Sequence, residues 1–183
     1  MSLRVIGGAW KGRRLAAPDG RDTRPLLDRI KQSLFDRLGQ SCDGWHVIDV
    51  CAGSGAFGIE AASRGAERVD LIECAAAACK AIDANLELLK RPPALRLHRG
   101  RFQDVLPRLD AADVVWCDPP FPWYREDPEQ LTAMLSLAAT RLAPDGMVLV
   151  RGERGVALPL VAALREDDRW QYGRSWVARL IPT

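Results

Sequence analysis

The chain has 183 residues, enough for one packed domain of about 100–200 residues and little more. Its 48% apolar and 27% charged residues are typical of a soluble globular protein. No apolar run reaches the roughly 20 residues of a membrane span, and the basic start MSLRVIGGAW leads into no apolar signal segment, so a cytoplasmic location is expected.

The net charge of +2 is unevenly spread: residues 1–37 carry nine Lys/Arg against four Asp, a net of +5, and the remainder is slightly acidic at −3. A basic segment on an acidic body suits an anionic partner such as nucleic acid, although a solvated arginine-rich surface has the same composition. Residues 3–15 read as two short strands around Gly7-Gly8, a hairpin. After Arg24-Pro25, the spacing of Leu27, Ile30, Leu34 and Leu38 predicts a helix that Gly39 stops. Residues 1–40 thus form a basic hairpin-and-helix extension, and 41–183 one compact unit.

From residue 46 strands and helices alternate. His46 to Cys51 reads as a buried strand running into Gly53-Ser54-Gly55, and a helix follows through Ile59 to about Gly65. Val69 to Glu73 is a second strand, an alanine-rich helix spans about 75–90, and Leu95 to His98 is a third, weaker strand. Asp113 to Cys117 is a fourth strand, a helix covers about 128–142, and a turn at Pro144-Asp145-Gly146 precedes the strand Met147 to Val150. Trp170 to Ile181 reads as one or two more strands. Such alternation means an α/β fold, a parallel sheet with right-handed crossovers that binds ligands beyond the carboxyl ends of its strands. The five cysteines have no C-x-x-C pair or nearby His, so they read as buried free thiols and no metal is expected.

Two turns carry chemistry. Gly53-x-Gly55-x-x-Gly58 follows a strand, opens a helix, and has Glu73 twenty positions after Gly53. Glycines let the backbone approach a ligand, and Glu73 can accept from ribose hydroxyls, so Ala52, Gly53, Ser54, Gly55 and Glu73 are candidate ligands for an adenosine-bearing cofactor. Asp49, just before the turn, would repel the pyrophosphate of NAD but suits the sulfonium and amino group of S-adenosylmethionine. The second turn, Asp118-Pro119-Pro120-Phe121, ends a buried strand. Prolines stiffen it and leave its carbonyls as acceptors. The Asp118 carboxylate and the Pro119 carbonyl can accept both hydrogens of an exocyclic nucleobase amine and turn its lone pair toward an electrophilic methyl group. Phe121 can stack on the extruded base. Pro122-Trp123-Tyr124 adds aromatic surface for stacking or for edge packing.

The Asp-Pro-Pro-Phe turn together with the glycine motif resembles class I aminomethyltransferases. The stretches Arg4-Val5-Ile6-Gly7-Gly8, Lys11-Gly12-Arg13-Arg14-Leu15, Arg24-Pro25, Asp28-Arg29 and Leu34-Phe35, with Cys51 to Ala61 and Ser63-Arg64-Gly65-Ala66, look like the bacterial ribosomal RNA small-subunit guanine-N2 methyltransferases, the RsmD family. The resemblance implies a Rossmann-like sheet of seven strands, the last antiparallel, with helices on both faces. It also implies S-adenosylmethionine as donor, and as acceptor a guanine of 16S rRNA within a partly assembled small subunit. Arg4, Lys11, Arg13, Arg14, Arg24 and Arg29 would then face RNA, and the protein would act as a monomer. The chain departs from the family pattern at Ala75, at Arg101-Phe102 and at Leu26-Leu27, so Phe102 is expected to meet the cofactor only through its amide or ring face. Other readings are an amino-methyltransferase of DNA or another RNA, and a non-catalytic RNA-binding assembly factor. A dehydrogenase lacks room for a substrate domain, and DNA amino-methylases commonly carry a recognition domain for which 183 residues leave no space.

Overall fold

The computed structural model describes residues 3–18 and 28–183. Its thirteen regular elements along the chain are α1 (Asp28–Arg37), β1 (His46–Val50), α2 (Ala56–Ser63), β2 (Arg68–Glu73), α3 (Ala76–Leu88), β3 (Leu95–Arg99), α4 (Phe102–Val105), β4 (Ala112–Cys117), α5 (Trp123–Glu126), α6 (Pro128–Ala139), β5 (Leu142–Glu153), β6 (Leu164–Tyr172) and β7 (Ser175–Pro182), with short 3-10 turns at Gly8–Trp10 and Leu106–Arg108. The seven strands form one sheet in the order β3-β2-β1-β4-β5-β7-β6. β1 to β5 pair in parallel, and β7 runs antiparallel to both β5 and β6. This is a Rossmann-like sheet of the class I methyltransferase type.

Successive residues of the central strands point to opposite faces. In β4, Val114 and Trp116 pack with Phe35, Phe57, Ile59 and Ile82 on the face of α1, α2 and α3. Val115 and Cys117 pack with Leu106, Leu131, Met134 and Leu135 on the face of α4 and α6. Phe57 stacks between Phe35 and Trp116, with ring centroids 5.3 and 4.4 Å apart. Each face of the sheet is therefore covered, which is why its strands read as nearly continuous apolar runs.

Several boundaries differ from the sequence expectation. β5 starts at Leu142, so Pro144-Asp145-Gly146 lies within it; Asp145 takes a left-handed φ of 65° and the register shifts opposite Ala112/Val114, a bulge that absorbs the turn-forming residues. The tail makes two full strands. Residues 3–15 form an antiparallel loop with a single bridge, Arg4 to Arg14, rather than two strands, because a 3-10 turn occupies Gly8–Trp10. Leu27, expected to begin the first helix, lies outside the described residues. Not all cysteines are buried: Cys42, Cys79 and Cys117 are, Cys51 is half-buried and Cys74 is exposed, all as free thiols. Among the described residues no helix is long and apolar enough to cross a membrane.

The N-terminal loop is fastened from beneath. Leu3, Val5 and Leu15 enter the α1–α3 core. The buried Glu60 carboxylate of α2 accepts the amides of Ile6 (2.9 Å) and Gly7 (2.7 Å), and it also meets Arg64 Nε (2.9 Å) and Lys31 Nζ (3.2 Å). Lys31 also donates to the Arg4 carbonyl. Burial lowers the Lys31 pKa, and Glu60 opposes that shift. Asn85 of α3 ties the loop to the glycine turn, exchanging bonds with Ala16 and donating to the Ser54 carbonyl at 2.9 Å.

Candidate active site

In the order β3-β2-β1-β4-β5 the chain reverses direction across the sheet between β1 and β4. Ligands of such sheets bind beyond the carboxyl ends of the strands at that switch point. Both turns singled out in the sequence leave the sheet here. The first, after β1, bends through left-handed conformations at Cys51, Gly53 and Gly55 (φ 60°, 58° and 74°). Three residues on, Gly58 packs α2 onto β2: a Cβ there would lie 2.4 Å from Leu71 Cδ2 and 2.8 Å from Val69 Cγ1. The turn is also held by Glu73, at the end of β2. Its Oε2 accepts the Gly53 amide and its Oε1 the amides of Cys74 and Ala75, each at 2.8 Å.

Between the two turns lies a cavity of about 650 Å³. Ala52, Gly53, Ser54, Glu73 and Phe102 line it, as do Asp118, Pro119, Pro120 and Phe121. The structure thus brings the candidate cofactor and catalytic residues to one void. Two candidates stand behind it. Gly55 is not in the wall. Asp49 is fully buried beneath the turn, where its Oδ2 accepts the Gly58 amide at 2.9 Å and its Oδ1 has no hydrogen-bond partner among the described residues. Burial raises the Asp49 pKa well above the ordinary carboxylate value; the Gly58 amide lowers it, and Asp118 and Glu73 add to the rise.

At the second turn, Trp123 donates to the Pro120 carbonyl at 3.0 Å, whereas among the described residues no hydrogen bond reaches the Pro119 carbonyl. Asp118 Oδ2 accepts from Arg151 Nη1 at 2.8 Å. Arg151 lies near the end of β5 and is 4% exposed. Burial pushes the Asp118 carboxyl above its usual range, and Arg151 works against that shift. The aromatic tripeptide divides its roles. Trp123 lines the cavity with its ring 6.1 Å from Phe102, while Tyr124 is buried and donates to the Arg151 carbonyl at 2.9 Å.

Of the basic residues expected to face RNA, Lys11, Arg13, Arg14 and Arg29 are exposed, and Arg4 is exposed but paired with Asp28 at 2.8 Å. Arg24 lies outside the described residues. Ala17 and Pro18, at the end of the N-terminal loop, reach the cavity wall.

A family model described as "Conserved hypothetical protein 95" matches residues 3–180. The chain belongs to this family. The match spans both turns and the N-terminal loop, and it is the family that the sequence resembles. An Escherichia coli member, the ribosomal RNA small subunit methyltransferase D, is 33% identical over 176 residues, covering 96% of this chain and 85% of that protein. YlbH of Bacillus subtilis, named as an inferred rRNA methyltransferase, is 33% identical across 96% of this chain and 97% of its own. Among solved structures, an inferred methyltransferase of Escherichia coli, yhhF, superposes with a TM-score of 0.81 at 31% identity over 98% of this chain and 97% of that one.

In this family member the structure adds site residues that the sequence did not single out. Arg151 follows the buried apolar run Val148-Leu149-Val150, and a cation in that position is the one signal that would have marked it. Gln103 and Gln130 bond each other at 2.8 Å in the cavity wall, from α4 and α6, elements too far apart in sequence to suggest a pair.

Proposed function

We propose that the chain transfers a methyl group from S-adenosylmethionine to the exocyclic N2 amine of a guanine in small-subunit ribosomal RNA. The observation that carries this reading is the facing pair at the cavity: Asp118 and the Pro119 carbonyl on one side, and Glu73 with the glycine turn on the other. The donor set fits the cofactor. Glu73 is a carboxylate aimed by three amides, with lone pairs left for ribose hydroxyls. Asp49, Glu73 and Asp118 bring three carboxyl groups to the site; burial raises the pKa of Asp49 and Asp118, and a cationic ligand would favour their ionised forms. When bound, S-adenosylmethionine supplies a methyl group on a positively charged sulfur.

The residues of the chain then position the acceptor. Asp118 Oδ1, which has no partner among the described residues, and the Pro119 carbonyl accept the two amine hydrogens and draw the nitrogen lone pair out of conjugation with the ring. Phe121 and Trp123 offer faces for an extruded base, since a stacked base cannot reach the cavity. Residues 1–40 extend the 41–183 unit toward RNA, with Lys11, Arg13, Arg14 and Arg29 on phosphates. Arg154 and Arg174 add to them. Both are exposed and are joined through the backbone, the Arg154 amide bonded to the Arg174 carbonyl at 2.8 Å, three residues beyond Arg151 in the chain. The name of the Escherichia coli relative supports the small subunit as substrate; 16S rRNA in a partly assembled particle and action as a monomer belong to the same proposal.

The test is mapping of modified nucleosides in small-subunit RNA from a deletion strain, complemented with the wild type or with Asp118→Ala. One guanine should lose its N2-methyl group in the deletion and regain it with the wild type only. Restoration by Asp118→Ala, or loss of an adenine or cytosine methyl group instead, would overturn the assignment.

A further inference from the structure

Asp118 is a carboxylate whose pKa is raised by burial, with Arg151 opposing the rise. Around it stand Asp49 of β1, Cys51 of the turn after β1, Cys117 of its own strand and Tyr124 of α5, and burial raises the pKa of each, so none of them supplies a countercharge. A carboxylate so placed would take up a proton rather than accept a hydrogen bond from an amine. Among the described residues, the cation that meets it is Arg151, 33 positions away on β5, at 2.8 Å. Arg151 is itself fixed. It is 4% exposed, its guanidinium carbon lies 5.2 Å from the Phe121 ring centroid, and its carbonyl accepts the Tyr124 hydroxyl at 2.9 Å. One side chain therefore touches the first and the last residue of the Asp-Pro-Pro-Phe turn.

Resting on the methyltransferase reading above, we propose that Arg151 is a positioning residue for methyl transfer: it occupies Asp118 Oδ2 so that Oδ1 is turned to the amine, and it supplies the charge that keeps the carboxylate ready to receive a proton. The balance of the step requires such a group. As the new nitrogen–carbon bond forms, the methyl–sulfur bond breaks and its electron pair stays on sulfur. The nitrogen is left positively charged with one hydrogen in excess. That proton passes to Asp118 Oδ1 and from there to water as the product leaves. A neutral Asp118 would accept the amine hydrogen only weakly before transfer and would have no site for the proton after it. The same contact places the guanidinium beside Phe121, so the stacking ring and the accepting carboxylate move as one unit.

The test compares Arg151→Gln and Arg151→Lys with the wild type, in methyl transfer to unmethylated small subunits across pH 5–9, with S-adenosylhomocysteine affinity measured by calorimetry. In Arg151→Gln the acid limb of kcat should move to higher pH by about 1–3 pH units, the range by which a nearby opposite charge depresses a carboxyl pKa. At pH values below the limb its kcat should fall about tenfold for each unit moved. S-adenosylhomocysteine affinity should stay within about twofold, and activity should recover toward pH 9. Arg151→Lys should keep the wild-type limb. A uniform loss across all pH values, or an unshifted limb in Arg151→Gln, refutes the role. Should Arg151→Gln fail to fold, a displaced limb in Arg151→Lys refutes it. A wild-type protein that binds S-adenosylhomocysteine but methylates no small-subunit guanine instead overturns the reading on which the proposal rests.

Discussion

Glu73→Gln is the substitution whose consequences the structure specifies most closely. The carboxylate receives two amides on Oε1, from Cys74 and Ala75, and one on Oε2, from Gly53, all at 2.8 Å. A glutamine has the same shape but one acceptor oxygen. That oxygen should keep the side with two donors, which turns the new NH2 group against the Gly53 amide. A half-buried amide is then left facing a donor, at a cost of about 1–3 kcal/mol. For a chain of this size, with about 2–4 °C per kcal/mol, the melting temperature should fall by roughly 2–12 °C. The cofactor loses more than the fold does, because Gly53 forms the cavity wall and the charged acceptor for the ribose is gone. A hydrogen bond to a charged group contributes about 1.5–3 kcal/mol, and tenfold in affinity corresponds to 1.4 kcal/mol, so S-adenosylhomocysteine should bind about 10- to 100-fold more weakly. Calorimetric titration and thermal melts with and without the ligand measure both effects. An affinity within twofold of wild type would show that Glu73 holds the turn but touches no ligand.

Three further outcomes follow from the geometry. Gly58→Ala should destabilise the protein by about 1–3 kcal/mol, the usual cost of an extra methyl group in a packed core, since its Cβ would meet Leu71 and Val69; an unchanged melting temperature would show that α2 can shift off the sheet freely. Asp70 is buried and accepts from His46, His98 and Arg68 at 2.7 Å each. Burial alone would raise its pKa, but these three partners hold it well below the ordinary range. A depressed carboxyl stabilises the fold above its unfolded value of about 3.9 and loses that contribution as the pH falls, so the stability gap between wild type and Asp70→Asn should narrow by about 1 kcal/mol between pH 7 and pH 3; urea melts giving the same gap at both pH values would contradict this. Replacing Arg154 and Arg174 together with glutamine should weaken RNA binding and reduce the salt slope by about two, with S-adenosylhomocysteine affinity unaltered; an unchanged slope would remove them from the RNA surface, and the pair Arg13 and Arg14 can be tested in the same way.

The features legible in the sequence were those that a short segment determines by itself. The glycine turn, the distal Glu73 and the Asp-Pro-Pro-Phe turn each sit at the end of a strand, and strand ends follow from local apolar runs. Alternation of strands and helices then implied a parallel sheet with its ligand site at those ends, so local readings converged on one place. What escaped depends on residues distant in the chain. Arg151 meets Asp118 only because β5 lies beside β4, and Glu60 reaches Ile6 and Gly7 only because the N-terminal loop folds back onto α2. Asp49 shows the limit from the other side. Its position before the turn suggested direct contact with a cation, yet β1 places its carboxyl beneath the turn, on the Gly58 amide. Burial holds its pKa well above the ordinary value, so it favours a cationic ligand through the intervening backbone only as that ligand's charge draws the carboxyl to ionise. A sequence motif thus names the charge a site requires more securely than it names the atom that delivers it. At Asp118 the proposed role makes the two coincide, and it depends on Arg151, which another strand brings to that carboxylate.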